Sequence, residues 1–360
     1  MEDGGGDLPP RLHIDPPLFN SANPWATTLE HLRGLYKCPF TGAVTTRTAL
    51  LDQGFPHDGR VHRFAFFEAG THRVVGGGDT GDNGKREEGG GNASLNTLGY
   101  SPLPLDTYLR YIRQIDEEEH GNREIGEQPR GKPFIVSVTG TPGEVAECYR
   151  RISRAALEIA APLAMEVNLS CPNIPGKPPP AYEGQALRTY VESLAVVAGE
   201  TGRRVPWGLK TPPYTHAGQF DMFVQTLRDC ALLLKDNAGD GNGKRVCPVS
   251  FVTATNTLGS CFLFEGYAPA LPRPGIGGLA GAPLHPLALG NVATLRRLLH
   301  AAPETRHVDL LGIGGVGDAA AYRRMRTVGA AAVGVGTALG IKGVGVFGKI
   351  ERELRGVWEL

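Results

Sequence analysis

Eight short apolar, β-branched runs recur along the chain, and a segment of helical periodicity follows each. The runs lie at Leu18–Ala22, Ala43–Thr48, Pro133–Thr139, Met165–Leu169, Trp207–Lys210, Val249–Ala254, Val308–Ile313 and Ala331–Val335. The segments between them are Thr27–Cys38, Leu105–Glu119, Val145–Leu157, Leu187–Glu200, Phe220–Lys235, Leu287–Leu299, Ala319–Val328 and Gly345–Leu360. Strands that alternate with helices pair in parallel. Runs this apolar suit a sheet covered on both faces, and eight repeats close a (β/α)8 barrel. A doubly wound open sheet is the alternative. One helix start is well marked, because Thr141-Pro142-Gly143-Glu144 combines an N-cap, a proline at the first helical position and a capping-box glutamate. The predicted fold class is therefore α/β, a TIM barrel spanning residues 1–360 as one domain, with its chemistry at the C-terminal ends of the strands.

Two stretches stand outside the pattern. Gly76–Gly91 contains no apolar residue and Lys235–Arg245 almost none, so both read as mobile surface insertions. Lys+Arg and Asp+Glu balance at 37 each, which argues against a nucleic-acid partner, since phosphate binding needs surplus cations. The balance equally disfavours a polybasic membrane surface. The six cysteines (Cys38, Cys148, Cys171, Cys230, Cys247, Cys261) have no metal-ligand spacing, so no metal is expected. The longest apolar run, Gly329–Ile341, is too short to span a bilayer, and Met1-Glu2-Asp3-Gly4 has no signal-peptide character. A cytoplasmic protein with reduced thiols is expected.

Polar residues fall where the predicted strands end: Arg47, Thr139, Asn168, Lys210 and Asn256. The seventh and eighth ends are glycine-rich instead, Gly312-Ile-Gly314-Gly315 and Gly334-Val-Gly336-Thr337. In barrels these two loops commonly hold a phosphate, which bare backbone can approach closely. Gly312-x-Gly314-x-x-Gly317 also matches a dinucleotide fingerprint. The acidic residue that should follow about 20 positions later is absent, so that reading is weak. A lysine at a barrel mouth reads as a partner for phosphate or for an anionic cofactor, with a solvated strand-edge lysine as the alternative. Asn168 and Asn256 punctuate apolar strands, and a buried amide needs several partners, as a polar heterocycle provides; a structural turn asparagine is the plainer reading. Cys171 follows a strand directly, in Asn168-Leu-Ser-Cys-Pro-Asn-Ile-Pro-Gly-Lys177. The other five cysteines sit in apolar or helical settings and are expected to be packed and unreactive.

Around Glu166-Val-Asn-Leu-Ser-Cys-Pro-Asn-Ile-Pro-Gly-Lys-Pro178 the sequence resembles the dihydroorotate dehydrogenases, specifically their cytosolic, fumarate-using class 1A branch or a divergent fungal-type paralogue of it. The resemblance runs from about Pro16 to Phe347. It includes Ser94-Leu-Asn-Thr-Leu-Gly99, Gly208-Leu-Lys-Thr-Pro-Pro-Tyr214, Thr255-Asn-Thr-Leu-Gly259, Gly277-Gly-Leu-Ala-Gly281, Gly312-Ile-Gly-Gly315 and Gly336-Thr-Ala-Leu339. It implies FMN-dependent oxidation of (S)-dihydroorotate to orotate in pyrimidine biosynthesis, with fumarate as acceptor, by a homodimer. Cys171 matches the general base that takes a proton from C5 while C6 gives a hydride to flavin N5. Arg47, Asn96, Leu98, Gly99, Asn168, Asn173, Asn256 and Thr257 fall at substrate-binding positions. Ala22, Asn23, Arg47, Thr48, Asn168, Lys210, Thr255, Gly281, Gly314, Gly315, Gly336 and Thr337 fall at cofactor-binding positions. Lys210 matches a lysine beside the flavin ring.

The chain departs from the family pattern at several of these positions. Arg47 replaces a lysine that contacts flavin and substrate, and a planar fork is not equivalent to a point charge. Asn23 and Ala280 replace glycines, Thr257 replaces a serine, and Tyr100-Ser101-Pro102 stands for Leu-Pro-Asn. The departures leave a second function open: an FMN oxidoreductase of the same fold acting on another dihydropyrimidine or an enone.

Overall fold

A computed structural model describes residues 9–79, 85–86, 90–121, 131–171, 179–201, 205–233 and 243–358. Eight parallel strands close a barrel in chain order: Leu18–Asn20, Ala43–Thr45, Phe134–Val138, Leu163–Asn168, Trp207–Thr211, Phe251–Ala254, Asp309–Ile313 and Ala332–Val335. The last pairs with the first, Leu18 opposite Val333. All eight predicted runs are barrel strands.

The register explains why the runs are apolar throughout. On the third and fourth strands Phe134, Val136, Val138, Leu163, Met165 and Val167 pack outward among the helices. Their alternates turn into the barrel. Ile135 and Ala164 join Phe19, Ala43, Phe251, Leu311 and Ala332 in an apolar plug. Above the plug the inward positions become polar, and Ser137 donates to Glu166 Oε1 over 2.9 Å. Gly208 is glycine because a Cβ there would lie 2.3 Å from the Phe251 ring.

Helices follow each strand, among them Leu29–Lys37, Leu105–His120, Pro142–Ala155, Gly184–Glu200, Ala217–Asp229, His285–Ala301, Ala319–Thr327 and Gly345–Leu354. The capping box forms as expected: the Glu144 side chain accepts from Thr141 N at 2.7 Å, and Glu144 N donates to Thr141 Oγ1 at 3.3 Å. Two helices end earlier than their periodicity suggests. The fifth stops at Asp229 because Leu232–Leu233 turn back to pair with Arg245–Val246. The last stops at Leu354, where Arg355 adopts a left-handed conformation.

A second sheet is not anticipated by the alternation. Two excursions, one after the second strand and one after the sixth, combine into a six-stranded antiparallel sheet. Its order is Leu258–Phe262, Ile276–Gly281, Ala93–Asn96, Phe64–Phe67, Val74–Gly78, Lys85–Arg86. Ala65, Phe67, Ala93 and Leu95 pack on one face with Leu263 and Leu271. Phe64 and Phe66 lie on the other with Val75 and Leu98, against Trp25 of the barrel. Period-two alternation therefore turns Phe64, Ser94 and Asn96 toward the barrel mouth, and Ser94 Oγ meets Thr337 Oγ1 at 2.9 Å. This corrects the reading of Gly76–Gly91 as a loop throughout: Gly76 and Gly77 pair with Arg86 and Lys85. Glycine is needed there because a Cβ on Gly77 would lie 2.5 Å from the Phe64 carbonyl oxygen. Residues 80–84 and 87–89, and 234–242 of the second stretch, lie outside the described residues. Among the described residues, no helix is long and apolar enough to cross a membrane.

Candidate active site

The barrel mouth and the overlying sheet enclose a cavity that is partly open to solvent. Ala22, Asn23, Arg47, Thr48, Asn96, Leu98, Gly99, Asn168, Cys171, Lys210, Thr255, Asn256, Thr257, Gly281, Gly314, Gly315, Gly336 and Thr337 all line it. Asn173 lies outside the described residues.

Its amides are oriented from the barrel floor upward by a chain whose directions can be assigned. Glu166 Oε1 accepts the Ser137 hydroxyl proton, so the neighbouring Thr48 hydroxyl, 3.0 Å away, must donate to Ser137. Thr48 Oγ1 then accepts from Asn168 Nδ2 at 3.1 Å. That fixes the Asn168 amide, whose Oδ1 accepts from the Ser170 hydroxyl at 2.9 Å and from Asn256 Nδ2 at 3.3 Å. Asn256 Nδ2 also donates to Ser170 Oγ at 3.0 Å. The two asparagines are thus presented as a rigid pair next to Cys171. Satisfied networks of this kind specify one arrangement.

The electrostatics are one-sided. Lys210 ends an inward-facing strand position and is only 3 % exposed, yet no hydrogen bond or ion pair joins it to any described residue. Arg47 is 4 % exposed, and burial lowers its pKa to about 10. Among the described residues no aspartate or glutamate lines the cavity. Neither cation is bonded to a carboxylate among the described residues, which leaves both for an anion that enters the cavity. Thr255 Oγ1 and Trp25 Nε1 are also buried without a hydrogen-bond partner among the described residues.

The glycine-rich ends form a cradle. Gly281, Gly314 and Gly315 hold φ of 86°, 127° and 72°, where only glycine is comfortable. A Cβ on Gly315 would lie 2.6 Å from His285 Cβ and 2.7 Å from the Gly281 carbonyl oxygen. His285 anchors this loop. Arg324 Nε donates to its Nε2 at 3.1 Å, so Nδ1 carries the proton and donates to the Gly314 carbonyl at 2.7 Å. These residues suit a phosphate beside a planar, polar cofactor whose negative charge falls near Lys210.

Cys171 is the one cysteine on the cavity among the described residues. Burial pushes the thiols of Cys148, Cys230 and Cys247 up to about 12, 11 and 12, as expected of packed cysteines. Cys261 differs, being partly exposed on the overlying sheet. Sequence reasoning missed Trp25, Phe64 and Ser94 on the cavity wall, and His57 and His285 behind it. The Phe64-Ala-Phe-Phe67 run was the available signal for the overlying sheet; nothing local marked the two histidines. Tyr100, noted above only as a departure, lines the cavity with its hydroxyl in hydrogen-bonding reach of Thr139 and Cys171, and burial raises its pKa.

The dihydroorotate dehydrogenase family model matches residues 85–357. The dihydroorotate dehydrogenase (fumarate) of Trypanosoma cruzi is 32% identical over 267 residues, covering 72% of each chain. That of Trypanosoma brucei brucei is 30% identical over 267 residues, 73% of this chain and 72% of its own. The dihydroorotate dehydrogenase A (fumarate) of Lactococcus lactis subsp. cremoris is 26% identical over 344 residues, 94% of this chain and 89% of its own.

Proposed function

The chain belongs to the dihydroorotate dehydrogenase family, and on that premise we propose that its barrel mouth oxidises (S)-dihydroorotate to orotate, with FMN as cofactor and fumarate as acceptor. The observation that carries the reading is Cys171 on a cavity that holds two buried cations and a fixed asparagine pair but, among the described residues, no carboxylate.

FMN, when bound, supplies the two-electron acceptor for the hydride that leaves C6. Gly281, Gly314, Gly315, Gly336 and Thr337 would hold its phosphate, and Lys210 would face the charge of its ring. One phosphate cradle and no acidic ribose partner favour FMN over FAD or NAD. Asn96, Asn168 and Asn256 have the donors and acceptors to orient a pyrimidine ring, and the Arg47 fork suits a carboxylate. Cys171, as thiolate, takes the proton from C5 and holds it on Sγ. The overlying sheet, through Phe64 and Leu98, keeps water from that transfer. The relatives' names support fumarate as acceptor, and a cytoplasmic homodimer completes the reading.

Anaerobic addition of dihydroorotate to the purified protein should bleach the flavin absorbance. A flavin that stays oxidised refutes the assignment. Tyr100 and Arg47 favour one second reading, a different dihydropyrimidine or enone, because both alter the chamber around Cys171. A substrate panel in which another dihydropyrimidine outperforms dihydroorotate selects it.

A further inference from the structure

Arg47 does not enter the cavity unsupported. Its Nη2 lies 3.0 Å from His57 Nε2, on the loop between the second barrel strand and the overlying sheet. The same imidazole places Nδ1 3.1 Å from the Phe55 carbonyl oxygen and Nε2 2.8 Å from that of Leu98. Arg47 and the Leu98 carbonyl ask opposite things of Nε2, which makes the ring a two-state element. A guanidinium only donates, so the Arg47 contact is a hydrogen bond only when Nε2 is bare and Nδ1 carries the proton that Phe55 accepts, whereas the Leu98 carbonyl pulls the other way and is bonded only when Nε2 is protonated. Protonating the ring would turn Nε2 into a donor. It would then bond the Leu98 carbonyl and set two positive charges against each other.

We infer that His57 is a positioning residue: as the neutral Nδ1–H tautomer it anchors one arm of the Arg47 fork, leaves the remaining N–H edge for a ligand carboxylate, and releases that fork when acid protonates the ring. The inference rests on the reading above only in taking that carboxylate to be the substrate's. It explains how an arginine works where the family pattern has lysine. A longer, bulkier fork gains directional bonding only if something fixes its plane.

The charges around His57 all favour the neutral ring. Arg47 faces it directly, and the His62 ring stands 5.4 Å away, edge-on. Asp58, next in sequence, is partly exposed and spends its carboxylate on Arg60 at 2.7 Å. Tyr108 and Cys171 are the other titratable groups close enough to act on Arg47. Burial first, then Arg47, lowers the His57 pKa.

The test uses FMN-loaded protein and orotate as probe, with the dissociation constant read from perturbation of the flavin spectrum. His57→Leu should weaken orotate about tenfold at pH 7.5, the worth of one hydrogen bond to a charged group, without loss of FMN. His57→Gln, whose amide oxygen can accept where Nε2 does, should bind within about threefold of wild type. Wild-type affinity should fall as pH drops below about 6.5, the ordinary histidine value, and His57→Gln should lack that fall. Equal affinity in wild type and His57→Leu, or the same acid fall in His57→Gln, overturns the inference. A ligand-free measurement separates it from the functional reading. Nitrogen-15 NMR should show the imidazole lost in His57→Gln as an Nδ1–H tautomer whose pKa rises in Arg47→Gln. An Nε2–H tautomer, or a pKa indifferent to Arg47, refutes the anchoring even if orotate does not bind; failure of orotate to bind wild type refutes only the function.

Discussion

Replacing Lys210 with methionine should move stability and cofactor affinity in opposite directions. The wild-type side chain is 3 % exposed and makes no hydrogen bond or ion pair with any described residue, so the apoprotein gains no direct bond from its charge. Methionine has nearly the same length and no charge. Substituting buried ions by apolar residues of similar volume is neutral to stabilising by about 1–4 kcal/mol. For a chain of this length, about 2 °C per kcal/mol, the low end of the range for large domains, applies. The apoprotein melting temperature should therefore rise by up to roughly 8 °C. Flavin binding loses the charge that meets it, at about 1.5–3 kcal/mol, or roughly 10- to 150-fold in dissociation constant. Thermal melts of apoprotein and fluorimetric FMN titrations of both proteins measure the two quantities. A Lys210→Met apoprotein that melts several degrees lower, with unchanged FMN affinity, would show that the lysine is a structural group and that no anion is awaited beside it.

Other substitutions test the remaining parts. Cys171→Ser should slow flavin reduction by dihydroorotate by about two to four orders of magnitude, the usual span for a positioned base, while FMN stays bound. The wild-type rate should climb with pH as a thiol, ordinarily near 8.5, ionises; rapid mixing from pH 6 to 10 that finds the variant within about threefold of wild type rules the base out. Gly315→Ala must place a Cβ 2.6 Å from His285 Cβ at φ of 72°, so both FMN affinity and melting temperature should fall, by about 1–3 kcal/mol in stability; unchanged melting and binding contradict the cradle. Burial lowers the pKa of His57, His285 and His307 in the fold, so the unfolded chain binds more protons just below about 6.5. Stability should hold above that pH and decline as pH falls through the lowered values. His285→Asn, which keeps a donor toward Gly314, should lose part of the decline in urea titrations at stepped pH.

How much of this was legible in the sequence follows from how local each determinant is. The barrel strands are covered on both faces, so each is a continuous apolar run that announces itself without knowledge of its neighbours. The motif residues sit at strand ends for the same reason, since a single polar residue closing such a run has few other places to point. The overlying sheet is different in kind. Its strands are short and interrupted by glycine, and Ala93–Asn96 finds its partners about 30 residues away in Phe64–Phe67 and about 180 away in Ile276–Gly281. No local period records a pairing at that separation, so Phe64 and Ser94 could not be assigned to the cavity wall. The two anchoring histidines are further removed still. His57 meets Arg47 across a loop, and His285 meets Gly314 across a helix start. What the sequence does carry is the need for them: an arginine where lysine is expected, and a glycine loop with no side chain to brace itself, are each incomplete alone. For both buried cations the sequence clue was the same, a charged residue closing an apolar run. Folding then leaves the cavity lining without a carboxylate among the described residues. A missing counter-charge is a statement about the ligand, because a site that stays positive through folding is completed only by the anion it was built to bind.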